Sequence, residues 1–295
     1  LLSNQDGKFR IGIEAAITLI LMALVPVGIK LTAATPITIA VFRLAVAVVM
    51  MVAFLRPKSL SELFQKKALL PLILIGFFFA LHWITYFLSI KKATASIGLL
   101  GMSTYGIHLI FLGWGIRKHK PGPFDILALI LATAGTYFII PEFSLTNNIT
   151  VGILLGVFSG FCFALLPVLH QQYSFIPERA RILGQFLFAL LTFSFFLPVT
   201  DWQLESMDWW VLLYLAVGGT FIAHSLWVRV TTSVSTTVSS LIFYLIIPMT
   251  MLISHFLLEE PMPFQKIAGA VLIVSGNVVS FAGKIRMKKQ PVLPD

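Results

Sequence analysis

The sequence predicts an all-α integral membrane protein of ten transmembrane helices, built as two five-helix repeats inserted in opposite directions. Three observations carry this. Hydrophobic residues make up 58% of the chain and charged residues 11%, against about 45–50% and about 25% in soluble domains. The charged residues are spaced to leave apolar stretches near the roughly 20 residues that a helix needs to cross the hydrocarbon. Finally, the chain reads twice. The apolar stretches show no strand-type alternation, and in lipid only helices or closed barrels satisfy their own backbone, so the spans are read as helices.

Taken in order, the first span covers 11–29. It is too long for a secretory h-region, has no small-x-small cleavage site and runs through Lys30 into another span, so it reads as a membrane helix and not a signal peptide. The second, 36–55, opens on Pro36 and is interrupted only by Arg43. The third, 69–90, lies between the pairs Lys66-Lys67 and Lys91-Lys92. The fourth covers 94–115, and the fifth, 123–141, follows the turn signal PGPF. The sixth to tenth cover 150–170, 182–200, 209–229, 234–257 and 265–283. The domain reading is therefore a first repeat at 1–141, a second at 150–283 and a basic tail at 284–295, with no soluble domain.

The duplication is visible residue by residue. KKATASIGLLGMSTYGIHL at 91–109 aligns without a gap on SVSTTVSSLIFYLIIPMTM at 233–251, a separation of 142. PGPF at 121–124 recurs as PMPF at 261–264, Ile11-Gly12-Ile13 as Val151-Gly152-Ile153, and Pro26 falls on Pro167. Five spans per half is an odd number, so the halves enter the membrane in opposite senses. That is the architecture of transporters that rock two repeats around a midplane site.

Orientation follows from Lys and Arg in the short loops. With the N-terminus in the cytoplasm, the inner side receives sixteen of the 21 basic residues, among them Arg56, Lys58, Lys66, Lys67, Arg117, Lys118 and Lys120. The outer side receives Lys30, Lys91, Lys92 and Lys266, together with Glu142, Asp201, Glu205, Asp208, Glu259 and Glu260. Both termini are expected in the cytoplasm, in a multi-pass protein of a bacterial cytoplasmic (inner) membrane. The net charge of +9 is then an address for the inner leaflet, and no nucleic-acid partner is expected.

Three stretches resemble one family. PITIAVFR at 36–43 is similar to a second-helix pattern ending in Arg, and YFLSIKKATAS at 86–96 to a junction between the third and fourth helices. Pro248 followed by LLEEPMPFQKIAGAVLIVSG at 257–276 is similar to the ninth and tenth helices. On these the chain is identified as a member of the drug/metabolite transporter superfamily, in its ten-helix, EamA-type branch. Departures are Met22-Ala23-Leu24 where the family often has Trp-Gly-Ser, His119-Lys120 where the second repeat has Glu259-Glu260, and Gly106 opposite Pro248. The resemblance implies a central cavity lined by spans one, three, four, six, eight and nine.

The candidate substrate-binding residues are polar groups deep in spans, where they are costly and face a cavity or a partner. His82 and His224 are equivalent across the repeat; Tyr86 follows one by four residues and Trp227 the other by three, each pair on one helix face. Tyr105, His108 and Tyr244 add polar-tipped side chains suited to a wet pocket. Arg43 can hold a carboxylate or phosphate bidentately, bridge helices, or snorkel outward. The plain alternative for each of these residues is packing between helices. Trp209 and Trp210 read as an interfacial belt, and Glu14 as an ion pair with Arg10 one turn earlier. Pro26, Pro167 and Pro248 are expected to interrupt their helices. Gly152, Gly156 and Gly160 form a close-packing row directed at the first helix, and Cys162 is expected inert.

No Walker A sequence, nucleotide fingerprint, metal-binding His-x-x-x-His or Ser-His-Asp constellation is present, so neither a cofactor nor a metal is expected. The expected function is secondary transport of a small organic metabolite, an amino acid or related solute, by export or exchange. A multidrug or nucleotide-type carrier of the same fold is the alternative within the class. An intramembrane enzyme acting on a lipid-linked substrate is the alternative outside it. Expected partners are the solute, the bilayer, and at most a second copy of the chain, as a monomer or homodimer.

Overall fold

In a computed structural model, residues 5–54, 65–117, 122–139, 144–234 and 236–289 are described. Arg56, Lys58, Lys118, His119, Lys120, Pro121, Glu142 and the last six residues lie outside them. Among the described residues every regular element is helical. The helices are α1 (Gln5–Leu31), α2 (Pro36–Phe54), α3 (Lys66–Lys92), α4 (Ala95–Met102), α5 (Tyr105–Arg117) and α6 (Pro123–Ile139). After them come α7 (Asn148–Gln172), α8 (Glu178–Ser194), α9 (Ser206–Ala216), α10 (Ala223–Ser233), α11 (Thr236–Leu258) and α12 (Phe264–Lys289). Among the described residues, five stretches are long and apolar enough to cross a bilayer: Phe9–Leu31, Pro36–Phe54, Lys66–Lys92, Asn148–Gln172 and Ser206–Ser233. Shorter apolar helices cover Pro123–Ile139, Ile242–Leu258 and Phe264–Gly276. Large apolar side chains such as Phe54, Tyr137, Phe195 and Trp210 stand exposed on the outside, as a surface solvated by lipid tails requires. The chain is a multi-pass membrane protein.

The span expected at 182–200 ends early, α8 stopping at Ser194 with a 3-10 turn at Leu197–Val199 after it, and two other expected spans are not uniform helices. The stretch expected at 94–115 breaks at Ser103-Thr104 into α4 and α5. The hydroxyl of Ser103 donates to the Leu100 carbonyl (2.6 Å) and that of Thr104 to the Gly101 carbonyl (2.8 Å), taking acceptors that a continuous helix would use. From α11 the Tyr244 hydroxyl donates to the Ser103 carbonyl (2.9 Å) and accepts from the Gly106 amide (2.9 Å). Tyr244 thus pairs two of the backbone groups that the break frees, as non-helical backbone at this depth requires. The second case is the stretch from α9 to α10, which passes through a π-helical turn at Val217–Ile222. There the Thr220 hydroxyl donates to the Leu215 carbonyl at 2.7 Å.

The prolines expected to interrupt helices do not. Pro26, Pro167 and Pro248 all lie inside continuous α1, α7 and α11. Beside Pro26, the Thr250 hydroxyl donates to the Ala23 carbonyl (2.8 Å), so a neighbouring helix compensates the loosened ladder. The small-residue row also has a different partner. Gly156 lies against the Gly98 carbonyl and Gly101, where an added Cβ would meet backbone at 2.9–3.0 Å. Gly152 faces Ala93 and Gly160 faces Met102, so the row packs α7 on α4 and the end of α3, not on α1. α12 runs past the expected end at 283 to Lys289, and α6 packs along it. Around these, α3 packs on α7 and α8, α4 on α7, α1 on α10 and α11, and α2 on α8. A central space remains where α1 to α4, α7, α10 and α11 converge.

Candidate functional site

That space has a cavity volume of about 40 Å³, far below the roughly 300–1,000 Å³ of small-molecule sites, so the helices must part to admit an organic solute. Its polar wall is Arg43 from α2, His82 and Tyr86 from α3, and His224 from α10. Its apolar wall includes Trp83, Phe87, Met102, Phe163 and Phe243.

Arg43 is fully buried and does not snorkel. Its guanidinium lies 4.2 Å from the Trp83 ring centroid and 5.2 Å from that of Phe87. Its Nε donates to the Thr220 hydroxyl at 2.9 Å and its Nη2 to the Gly219 carbonyl at 3.4 Å. The π-turn brings both acceptors to it, and such turns cluster at functional sites. Gly219 also lets the π-turn pack closely on α1, since a Cβ there would meet the Val25 side chain at 2.7 Å. The third nitrogen, Nη1, is buried without a hydrogen-bond partner.

His82 Nδ1 lies 2.7 Å from the Ser159 hydroxyl and 3.3 Å from the Ser159 carbonyl, and that hydroxyl donates to the His82 carbonyl at 3.0 Å. A carbonyl only accepts, and the serine proton is already committed. The network therefore requires a proton on Nδ1, which leaves Nε2 as an acceptor in the neutral ring. The His82 ring also stacks on Tyr86 (5.7 Å) and lies 4.7 Å from Phe163. Opposite, His224 meets the edge of Phe79 at 5.0 Å and Trp83 at 5.7 Å.

The other expected site residues stand outside these walls. Tyr105 is wholly buried behind Phe163 (5.2 Å) and Phe243 (5.1 Å). His108 turns to α7, with Nε2 3.2 Å from both the Val157 carbonyl and the Thr104 hydroxyl. Tyr244 is engaged at the α4–α5 break. Trp227 lies nearly parallel to Phe163, 6.1 Å away, and lines a smaller space of about 10 Å³ with His170, Gln185 and Thr231. Both spaces share Phe163 and His224 as walls. Sequence reasoning missed Trp83, Phe87 and Phe163. The first two lie on the same α3 stripe as His82 and Tyr86, at spacings of three and four, and that periodicity was the available signal.

Polar contacts tie the helices together towards the two ends of the molecule. At one, Glu14 Oε1 accepts from Arg10 (3.1 Å), as expected, and also from Arg229 of α10 (2.9 Å), whose Nε reaches Glu178 of α8 (3.2 Å). At the other, Lys30 Nζ donates to the Ile90, Lys91 and Ala93 carbonyls at 2.6–3.2 Å, and Lys91 donates to the Thr32 carbonyl. There too the buried Glu260 carboxylate accepts from the Ala95 amide (2.7 Å), the Ser96 amide (3.3 Å) and Lys266 Nζ (3.0 Å). Asp208 accepts from the Ala33 amide at 2.8 Å. Among the described residues no cluster of His, Cys, Asp and Glu could hold a metal ion.

A family model described as the EamA-like transporter family matches the chain twice, over residues 11–140 and 150–282. An uncharacterized transporter, YetK of Bacillus subtilis, is 24% identical over 271 residues, covering 85% of this chain and 78% of the relative. A solved crystal structure, described only as that of a protein, covers 95% of this chain and 99% of its own, with a TM-score of 0.70 and 13% identity. The last likeness concerns the fold alone.

Proposed function

Because the chain belongs to the EamA-like transporter family, a family of membrane transporters, we propose that it is a secondary transporter of a small organic metabolite. The solute is an amino acid or a related carboxylate, moved by alternating access as export or exchange. The observation that carries this reading is the buried guanidinium of Arg43, presented with an unpartnered Nη1 in a cavity where seven helices converge. Arg43, His82, Tyr86 and His224 are the groups that hold the solute.

Two inverted five-helix repeats, 1–141 and 150–283, give ten spans and one gate per half. The double family match supports this. So does the helix pairing, since α3 lies on α7 and α8 while its counterpart, the α9–α10 stretch, lies against their counterparts α1 and α2, and α6 pairs with α12. Both termini face the cytoplasm of the bacterial cell by the distribution of basic residues. A cysteine replacing Ser206 should then react with an impermeant reagent from outside the intact cell. Reaction only after permeabilisation would reverse the assignment.

The central test is flux of labelled amino acids and their carboxylate relatives into liposomes holding purified protein, beside turnover of labelled lipid in the same preparation. Saturable solute flux that disappears in Arg43→Gln and His82→Ala supports the reading. Lipid turnover without solute flux sinks it in favour of an intramembrane enzyme.

A further inference from the structure

The cavity's charge census is one-sided. Its walls hold one guanidinium and two imidazoles, and none of the chain's twelve Asp and Glu residues is among the described walls. Nor does any described carboxylate form an ion pair with Arg43. What faces the charge instead is the π cloud of Trp83 and Phe87, two neutral acceptors on the π-turn, and an N–H with no partner. A buried charge without a counter-ion is costly, and a cation–π contact offsets only part of that cost.

A solute that brings one negative charge neutralises the site. A zwitterion does not. Its carboxylate can meet Nη1, but its ammonium then sits in the same low-dielectric space as the guanidinium, with only rings and neutral groups to receive it. A cation adds repulsion, and a dianion leaves one charge unmatched. His82 Nε2, an acceptor by the tautomer its Ser159 contacts require, calls for a donor, and a neutral hydroxyl supplies one without adding charge. The rest of the lining is mostly aromatic and aliphatic, which suits an apolar side chain once the helices part to admit it.

We propose that the cavity selects an organic monocarboxylate with an apolar, branched or aromatic side chain, preferably a hydroxy acid, over the amino acid of the same shape. The carboxylate pairs with Arg43 Nη1, the hydroxyl donates to His82 Nε2, and the side chain lies among Trp83, Phe87, Phe163 and Phe243. The inference rests on the transport reading of this cavity and names its substrate class.

The test uses matched probes on the purified full chain: phenyllactate, phenylpropionate, phenylalanine and phenethylamine, with thermal stabilisation titrated for each and flux measured in liposomes. Phenyllactate and phenylalanine differ only in a hydroxyl against an ammonium. Phenyllactate is expected to reach half-maximal stabilisation at a concentration lower by about tenfold or more, with phenylpropionate next and phenethylamine without effect. In Arg43→Gln the difference should shrink towards nothing, and in Arg43→Lys it should partly return. Phenylalanine binding as tightly as phenyllactate, protection by none of the four, or an anion preference that survives in Arg43→Gln would each overturn the proposal. The wild-type series decides the matter even if a variant does not fold. The expected order of stabilisation without flux of any probe would keep the charge selection and remove the transport reading.

Discussion

His82 and Tyr244 are both buried polar aromatics, yet their surroundings give them different work. His82 keeps Nε2 free of the Ser159 network that holds its ring, so removing it strips an acceptor from the cavity. Tyr244 spends its hydroxyl twice on backbone at the α4–α5 break. His82→Ala should lower flux per folded molecule by about tenfold or more, the effect of losing roughly 1.4 kcal/mol of solute interaction, with a smaller fall in melting temperature. Tyr244→Phe should cost about 1–3 kcal/mol of stability through two unsatisfied backbone groups and leave solute affinity unchanged. Flux and melting temperature on the same preparations check both, and a Tyr244→Phe protein with normal stability would show that the break is held otherwise. Arg43, His82, Tyr86 and His224 were legible in the sequence because polar groups inside apolar spans stand out. Trp83 and Phe87 were not, since an aromatic residue in an apolar helix looks the same facing solute, core or lipid.

At the level of elements, α7 and α4 approach so closely that backbone meets backbone. A Cβ on Gly156 would meet the Gly98 carbonyl at 2.9 Å, with Gly101 behind it. Gly156→Leu should therefore destabilise the fold by about 1–3 kcal/mol or more, read as a lower melting temperature in detergent, whereas Gly12→Ala, with open space around it, should not. Equal melting temperatures for the two variants would mean that α7 can shift. A second element-level expectation concerns the start of α4, where Glu260 in the loop between α11 and α12 receives two amides. Burial pushes its carboxyl up, but hydrogen bonding from Ser96 and the Lys266 ammonium outweigh that and hold it below the usual carboxylate range. A depressed carboxyl stabilises above its unfolded value, and that contribution is lost as pH falls through the folded value. The melting temperature should therefore drop on acidification below about pH 4, near the ordinary Glu value, and Glu260→Gln should be less stable at neutral pH with a flatter acid limb. An acid limb as steep in Glu260→Gln as in the wild type would assign it to other groups.

For the whole molecule, the Glu14–Arg229–Glu178 contacts tie α1 to α10 and α8 beside the smaller space that Thr231 lines. If that end opens during transport, these contacts must part. Arg229→Gln removes both of them at once. Arg229 is partly exposed, so the contribution is discounted for solvent screening, and a shift of about fivefold towards the open state is expected. In a Cys162→Ser background, a cysteine replacing the buried Thr231 should react with an impermeant maleimide about fivefold faster once Arg229→Gln is added. An unchanged rate would mean that the contacts are structural and do not gate.

The sequence by itself determined the solvent of this protein, the placement of most helices and the family to which it belongs. Each of these depends on local composition, on charge spacing or on short motifs, all of which can be read along the chain. Only the tertiary structure decided that Ser103-Thr104 breaks a helix while Pro26, Pro167 and Pro248 do not. A proline's lost hydrogen bond can be compensated by a neighbour. Hydroxyls such as those of Thr85 and Thr136 bond carbonyls within unbroken helices, whereas at Ser103-Thr104 Tyr244 pairs the carbonyl and amide that the break frees. It likewise turned the glycine row of α7 towards α4, stacked Arg43 on Trp83, and drew Tyr105 and Tyr244 out of the cavity and into the packing around it. Those outcomes rest on which helix faces meet, and in a chain apolar on nearly every side the hydrophobic pattern does not distinguish a face that meets lipid from one that meets another helix or solute.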